Sequence, residues 1–326
     1  MRDHLMFGPA KALALDVLDA LEQESADAMA VDFLMPGGLV AAEAAGVPAA
    51  AVVHTIYSLP APGLAPVGMG LAAPQSALGR RGADLLNAIV AMLFNRRLKS
   101  FNQTRRELGL GPLTDSMQLY ERAHRILVLT YRSFDFPASS YPANVRYVGP
   151  CLKPLPENDT GPCVDSYPVV ASFSTNFADN ARLVDRIHEV LSLLPHRCLL
   201  LTPAIDPDSI AEAANVDKSR FVPHEKVFPA AKVVITHGGH GTVIKALLHG
   251  LPVVCLPCDH DQSDIAQRLV SLEAGIRLSP RSTKRAIRNA VEKVLREEKF
   301  TQAARRAGDR FRLEEHPLAV EEIESL

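Results

Sequence analysis

The residues best suited to chemistry lie in a glycine-rich turn in the second half of the chain. An apolar run, Val233–Thr236, leads directly into His237-Gly-Gly-His-Gly-Thr242 and then into a helical pattern, Val243–His249. Glycines let a backbone approach a ligand closely, and the N–H groups and dipole of a helix start attract an anion. The side chains of His237 and Thr242 add hydrogen-bond donors. This turn is therefore predicted to bind a diphosphate.

Two other chemistries fit the same stretch less well. A single Cys255-Leu-Pro-Cys258 pair gives no tetrahedral zinc site, and His-Gly-Gly-His-Gly-Thr does not read as the Gly-x-Gly-x-x-Gly of a dinucleotide-binding enzyme. We therefore expect no metal and no bound cofactor. The side chains that a metal cluster would have to use are His237, His240, Asp259, His260 and Asp261.

Further motifs extend the signal beyond the turn, and together they resemble the GT1 family of glycosyltransferases, which includes macrolide and enediyne transferases. The resemblance implies a GT-B fold. It also implies inverting transfer of a sugar from a nucleoside diphosphate, dTDP or UDP, to a hydroxyl of a small apolar acceptor, without a required metal. The motifs are Val53-His-Thr-Ile-Tyr57, Tyr147-Val-Gly-Pro150, Ser172-Phe-Ser-Thr175, Arg220-Phe-Val-Pro-His224, Gly250-Leu-Pro252 and Leu256-Pro-Cys-Asp-His-Asp-Gln262.

The resemblance also assigns roles to individual donor-site residues. Phe221 is expected to stack on the base, because an aromatic face suits any base, and Val222 and His224 are expected to meet the base edge. Asp261 and Gln262 match the pair that hydrogen-bonds the sugar hydroxyls. The residues that fall on the diphosphate are His237, Gly239, His240, Gly241 and Thr242 on the turn, with Ser174 and Thr175 on the opposite loop.

Three positions depart from the family pattern. Lys245 stands where a glutamate usually accepts hydrogen bonds from the ribose, and an ammonium has no acceptor. A deoxyribose donor, a lysine redirected to the phosphates, and a decayed site are all compatible with this change. Ser174 replaces a glycine, and Ile265 replaces a common asparagine.

The start of the chain departs further, because Met1–Leu21 resembles a later helix of the acceptor domain. Family members usually begin with a strand and a Gly-His loop that supplies the catalytic base, so we expect an incomplete first domain. His4 and His54 do not match that base, and we assign none. His54 and Tyr57 are the acceptor-side candidates. The alternative function is a catalytically impaired relative that binds a nucleotide or stabilises a partner transferase.

The elements that position these residues alternate between strand and helix patterns, which predicts an α/β protein with parallel sheets. We expect two Rossmann-like domains facing a cleft, an acceptor-side domain over 1–150 and a donor-binding domain over 151–326. The predicted strands are Ala28–Phe33, Ala49–Val53, Ile126–Thr130, Val169–Phe173, Cys198–Thr202, Val233–Thr236 and Val253–Leu256. The predicted helices include Gly38–Ala45, Asn180–Leu194 and two charged helices between Thr283 and Glu315.

The composition limits which binding partners and which cellular compartment are expected. The 326 residues carry a net charge of −2, so polymeric nucleic acid is not an expected partner. The longest apolar runs are interrupted well short of a membrane span, and no signal peptide is visible at Met1–His4. Five scattered cysteines do not form a disulfide framework. We therefore expect a cytoplasmic protein that binds a nucleotide-sugar and a small acceptor, with a homodimer or a partner transferase left open.

Overall fold

The computed structural model describes residues 8–96, 98–152, 166–173, 181–259 and 261–326, and the chain divides into two compact α/β units. Unit 1 comprises Met1–Val67, Ala73–Cys151 and Glu315–Leu326. Unit 2 comprises Gly68–Ala72 and Leu152–Glu314. Each unit contains one sheet, and the neighbouring strands of both sheets pair in parallel. The predicted α/β class with parallel sheets is therefore confirmed.

Unit 1 is built on a four-stranded sheet in the order β1-β2-β3-β4. The strands are β1 (Met29–Asp32), β2 (Ala49–Val53), β3 (Arg125–Val128) and β4 (Val145–Tyr147). The helices are α1 (Ala10–Gln23), α2 (Pro36–Ala45), α3 (Ala77–Asn95), α4 (Leu98–Glu107) and α5 (Gln118–Arg122). Helix α2 ends at Gly46, whose φ of +70° is the left-handed conformation that glycine adopts at helix ends.

Unit 2 is built on a six-stranded sheet in the order β10-β9-β8-β5-β6-β7. Strands β5, β6, β8 and β9 are fully buried along their length, as expected of parallel strands covered on both faces. The strands are β5 (Val169–Ser172), β6 (Cys198–Leu201), β7 (Val216–Ser219), β8 (Val233–Thr236), β9 (Val253–Cys255) and β10 (Gly275–Arg277). The helices are α6 (Ala181–Ser192), α7 (His224–Val227), α8 (His240–Leu248), α9 (Gln262–Ser271), α10 (Lys284–Arg296) and α11 (Glu298–Leu313).

The strand order of unit 2 creates a switch point between β5 and β8. From β5 the chain proceeds outward through β6 and β7, returns to β8 on the other side of β5, and continues through β9 to β10. Connections that leave two adjacent parallel strands in opposite directions open a crevice at the carboxyl ends of those strands. The carboxyl ends of β5 and β8 are therefore where a ligand of unit 2 is expected.

Two segments pack with the unit on the other side of residue 150, the predicted domain boundary. Helix α12 (Ala319–Glu324) belongs to unit 1, where the Glu322 carboxylate accepts a hydrogen bond from Arg125 at 2.7 Å. The segment Gly68–Ala72 belongs to unit 2, because the backbone N–H groups of Gly68 and Gly70 donate to the Asp264 carboxylate at 2.6 and 3.1 Å. Long-range polar contacts of this kind leave no trace in local composition.

Helix length and hydropathy decide whether a helix can span a membrane. Across the ranges given above, no helix combines the length and the apolar character needed to span a bilayer.

A buried ion pair in unit 1 yields a stability prediction. Arg105 has a fully buried side chain that donates twice to Glu43, at 2.6 and 2.9 Å, and once to the carbonyl of Gly111. Glu43→Ala leaves that guanidinium without its carboxylate and should lower the free energy of unfolding by about 3 kcal/mol, measured by denaturant titration. The hydrogen bond and charge of Arg105 lower the pKa of Glu43, so this stabilisation holds above about pH 4.5 and is lost as the pH falls further.

The exposed pair of Lys11 and Glu107 supplies the control for that experiment. These side chains also approach to 2.6 Å, but at the surface, where ion pairs contribute little. Glu107→Ala should leave the unfolding midpoint almost unchanged. Equal losses in the two variants would contradict the special role of the buried guanidinium.

Candidate functional site

The candidate site lies where the carboxyl ends of β5, β8 and β9 meet at one edge of the unit 2 sheet. The register aligns Ser172 with Thr236, so the residues that follow these strands are neighbours. The rings of Phe173 and His237 stack with their centroids 6.2 Å apart. Chemistry-bearing residues from two separate sequence motifs are thus brought together. Ser174 and Thr175, predicted to face the diphosphate, lie outside the described residues.

Two glycines of the turn are required by their surroundings. Gly238 has a φ of +94°, and a side chain there would begin 2.7 Å from the sulfur of Cys255 and 3.1 Å from the carbonyl oxygen of Gln262. At Gly239, a Cβ atom would lie 2.9 Å from the imidazole of His237. The turn therefore packs against β9 and the start of α9 on one side, while the His237 ring covers the other.

The start of α8 has the properties of an anion-binding site. Its N-cap residue is Gly239, which has no side chain to cap the helix, and the first helical hydrogen bond runs from Val243 N to Gly239 O at 3.1 Å. The backbone N–H groups of the first turn precede that bond and lie at the positive end of the helix dipole. Together with the helix dipole, three amides in one turn favour a phosphate.

His237 contributes to this turn as a neutral donor rather than as a cation. The side chain is buried, and this burial lowers its pKa to about 4. Its Nδ1 atom lies 3.4 Å from Oγ1 of Thr236 at the end of β8. At neutral pH the imidazole is therefore uncharged, and the charge of a bound anion must be offset by other groups.

The predicted base-binding segment is anchored to the same sheet edge. Nε2 of His224 lies 2.9 Å from Oγ of Ser172, and its ring stacks flat on Phe228 with centroids 4.4 Å apart. Burial lowers the pKa of His224 to about 4. Three residues earlier, Phe221 is 71% exposed, whereas Val222 is partly buried. An exposed aromatic ring held on an anchored segment is available for stacking.

An ion pair between α7 and α8 is a feature that sequence reasoning missed. Nζ of Lys245 lies 2.5 Å from Oε1 of Glu225, and both side chains are mostly buried. Burial opposes ionisation of Glu225, but hydrogen bonds from Lys245 and from the backbone N–H of Glu225, together with the charge of Lys245, outweigh it and lower the pKa of this carboxyl. The only hint in the sequence was a glutamate directly after His224, twenty positions before the unexpected lysine.

The predicted sugar-binding pair lies at the start of α9. The side-chain oxygen of Gln262 accepts hydrogen bonds from the backbone N–H groups of Cys258 and Asp259 at 2.9 and 3.2 Å. Gln262 therefore closes the loop that follows β9, and its amide nitrogen is the part of the side chain that can donate to a ligand. Asp261 precedes it as the N-cap residue of α9 and is partly exposed.

The two acceptor-side candidates of unit 1 have different environments. His54 follows β2, is about half exposed, and has Nδ1 3.7 Å from the Asp32 carboxylate at the end of β1. Tyr57 is 1% exposed and packs edge-on against Tyr141. Burial raises the pKa of Tyr57, so its phenol is protonated at neutral pH. Sequence reasoning did not single out Asp32.

The grouping of the metal-ligand candidates and the burial of two cysteines follow from the structure. Within the described ranges, which leave out His260, no three side chains of His, Cys, Asp or Glu are grouped so as to hold a metal ion. Cys255 is fully buried in β9 and burial raises the pKa of its thiol, while burial raises the pKa of Cys258 to about 11. Both thiols are therefore protonated at neutral pH.

Comparison with known sequences gives a family and a relative. The family model described as "UDP-glucoronosyl and UDP-glucosyl transferase" matches residues 12–308. The chain is 30% identical over 330 residues to 4'-demethylrebeccamycin synthase of Lentzea aerocolonigenes, an alignment that covers 98% of this chain and 78% of the relative.

Comparison with solved structures agrees on the fold. The glycotransferase of kitacinnamycin superposes with a TM-score of 0.73 at 21% identity, covering 93% of this chain and 76% of that chain. The glycosyltransferase VinC, solved in complex with dTDP, superposes with a TM-score of 0.66 at 18% identity, covering 100% and 80%. The predicted GT-B fold is confirmed.

The crowding around Gly238 generates a prediction about the turn. Gly238→Ala should lower the free energy of unfolding by about 2–4 kcal/mol, because a positive φ is strained for alanine and its Cβ overlaps the Cys255 sulfur. Gly241→Ala is the matched control, since among the described residues no atom outside its chain neighbours and its own helix backbone lies within 4 Å of its Cβ position, and it should be neutral or stabilise by up to about 1 kcal/mol. Denaturant unfolding measures both, and an unaffected Gly238→Ala variant would contradict the packing described.

Proposed function

Because this chain belongs to the UDP-glucoronosyl and UDP-glucosyl transferase family, we propose that it transfers a sugar from a nucleoside diphosphate to a hydroxyl of a small, largely apolar acceptor. The observation that carries the proposal is the assembly at one sheet edge of a glycine turn, an uncapped helix start and an exposed aromatic ring. These are the three kinds of group that a nucleoside diphosphate requires. The relative named for 4'-demethylrebeccamycin synthesis supports a natural-product acceptor.

On the donor side, unit 2 binds the nucleotide and stabilises the leaving group. The diphosphate accepts hydrogen bonds from the first amides of α8 and from neutral His237, while the base stacks on Phe221. Asp261 and Gln262 bind the sugar hydroxyls. As the bond between the anomeric carbon and the diphosphate breaks, negative charge grows on the leaving oxygen, and the fixed amide dipoles stabilise it without reorganisation. The dTDP complex of VinC supports a pyrimidine nucleotide.

On the acceptor side, His54 is the general base and Asp32 orients it. The acceptor oxygen attacks the anomeric carbon from the face opposite the diphosphate, and its proton moves to Nε2 of His54. Nδ1 already faces the Asp32 carboxylate, which stabilises the imidazolium that forms. This assignment gives the reaction a base that the sequence did not reveal, because the pair depends on parallel pairing of β1 and β2.

The donor site is tested by calorimetric titration with UDP and dTDP, using NAD as the rival ligand. His237→Ala should weaken binding of the preferred nucleoside diphosphate by about 10- to 150-fold, because a hydrogen bond to a charged oxygen is lost. His196→Ala is the control, since His196 precedes β6 at the opposite edge of the sheet and should leave affinity unchanged. Binding of NAD alone would refute the proposal in favour of a dinucleotide-binding enzyme. Binding of no ligand by the folded wild-type chain would refute it in favour of the partner-stabilising alternative.

The base is tested by steady-state transfer from the preferred nucleotide-sugar to a panel of small apolar alcohols and phenols. His54→Gln should lower kcat by about 10²- to 10⁴-fold, because general base catalysis is lost, while nucleotide affinity stays at the wild-type value. Asp32→Asn should lower kcat less, because it weakens only the stabilisation of the imidazolium. A wild-type kcat in His54→Gln would mean that another group removes the proton.

A further inference from the structure

The ion pair between Glu225 and Lys245 connects α7 with α8, next to the segments proposed to bind the base and the diphosphate. Glu225 is on α7, four residues after exposed Phe221, and Lys245 is on α8, five residues after His240 at its start. In a nucleoside diphosphate, the ribose connects the base to the phosphates. If the base stacks on Phe221 and the diphosphate binds at the start of α8, the ribose lies between the two elements that this pair connects.

The chemistry of the pair is suited to a sugar with hydroxyl groups. Ribose hydroxyls need an acceptor, and a carboxylate provides about four lone-pair sites on two oxygens. Lys245 occupies Oε1 of Glu225 at 2.5 Å and keeps the carboxyl ionised by lowering its pKa. Glu225 remains the more exposed partner, at 28% against 18% for Lys245. Lys245 and the backbone N–H of Glu225 use two of these sites, so the carboxylate keeps lone pairs for a ligand hydroxyl.

We propose that Glu225 is the ribose-binding residue of this chain and that Lys245 positions it. The assignment rests on the proposed function, because it presupposes a nucleoside diphosphate at the site. It makes the donor a ribonucleotide, since a 2'-deoxyribose offers one hydroxyl fewer to the carboxylate. The carboxylate that accepts from the ribose then lies on α7, at Glu225, instead of on α8 at position 245. Lys245 holds this carboxylate in place and is not a phosphate ligand.

The experiment is calorimetric titration of the wild-type chain and its variants with UDP and 2'-deoxy-UDP, which differ only in the 2'-hydroxyl. The wild-type chain should bind UDP about tenfold or more tightly than 2'-deoxy-UDP. Glu225→Ala should bring this ratio close to one, mainly by weakening UDP. Any change in phosphate binding that follows from releasing Lys245 affects both nucleotides equally and cancels in the ratio.

Two further variants complete the design. The double variant Glu225→Lys with Lys245→Glu returns a carboxylate to the pair from the other helix and should restore at least part of the preference for UDP. Glu212→Ala is the matched control, because Glu212 pairs with Lys218 of unit 2 at 2.7 Å through an exposed carboxylate. It should leave both affinities and their ratio unchanged.

The titrations separate a failure of the ribose assignment from a failure of the proposed function. A wild-type ratio near one, or a Glu225→Ala variant that keeps the preference for UDP, would overturn the ribose assignment while nucleotide binding itself stands. Equal strengthening of both nucleotides by Glu225→Ala would also overturn it, because Glu225 would then serve only to hold Lys245 away from the phosphates. Binding of neither nucleotide by the wild-type chain would refute the proposed function and this assignment with it.

Discussion

The parallel pairing of β5 with β8 is the contact on which the candidate donor site depends. Its register sets Ser172 beside Thr236, and from there Phe173 stacks on His237 while Ser172 holds His224. The two strands are not consecutive, because β6 and β7 intervene in the chain. A single register between strands of distant sequence therefore joins the glycine-rich turn to the segment from Phe221 to His224, and a slip of one residue would reverse every side chain involved.

Neutral groups dominate the electrostatics of this site. Burial keeps the imidazoles of His237 and His224 uncharged at neutral pH, and the positive charge of Lys245 is matched by Glu225. Attraction for an anion must then come mainly from oriented backbone amides at the start of α8. This agrees with a net charge of −2, because such a site needs no surplus of basic residues. The electric field of such a site acts only at short range, so it attracts unrelated polyanions weakly.

Sequence reasoning succeeded where one local pattern decides the outcome. Strands buried on both faces read as apolar runs, so β5, β6, β8 and β9 were predicted within a residue of their observed ends, and glycines revealed the turn at Gly238. It missed β4, β7 and β10, because the sequences Val-Arg-Tyr, Val-Asp-Lys-Ser and Gly-Ile-Arg contain charged residues and form no apolar run. Glu225 and Asp32 were also missed, since their significance lies in partners that only the fold brings near.

The segment Gly68–Ala72 has a consequence for how this chain can be recombined. The path passes from one unit to the other at four points, after residues 67, 72, 151 and 314. A chimera joined to a relative at residue 151 alone would deprive Asp264 of the amides of Gly68 and Gly70, and would separate β3 from its own α12. The two units are thus not exchangeable modules, and a working hybrid must carry the segment with the second unit and α12 with the first.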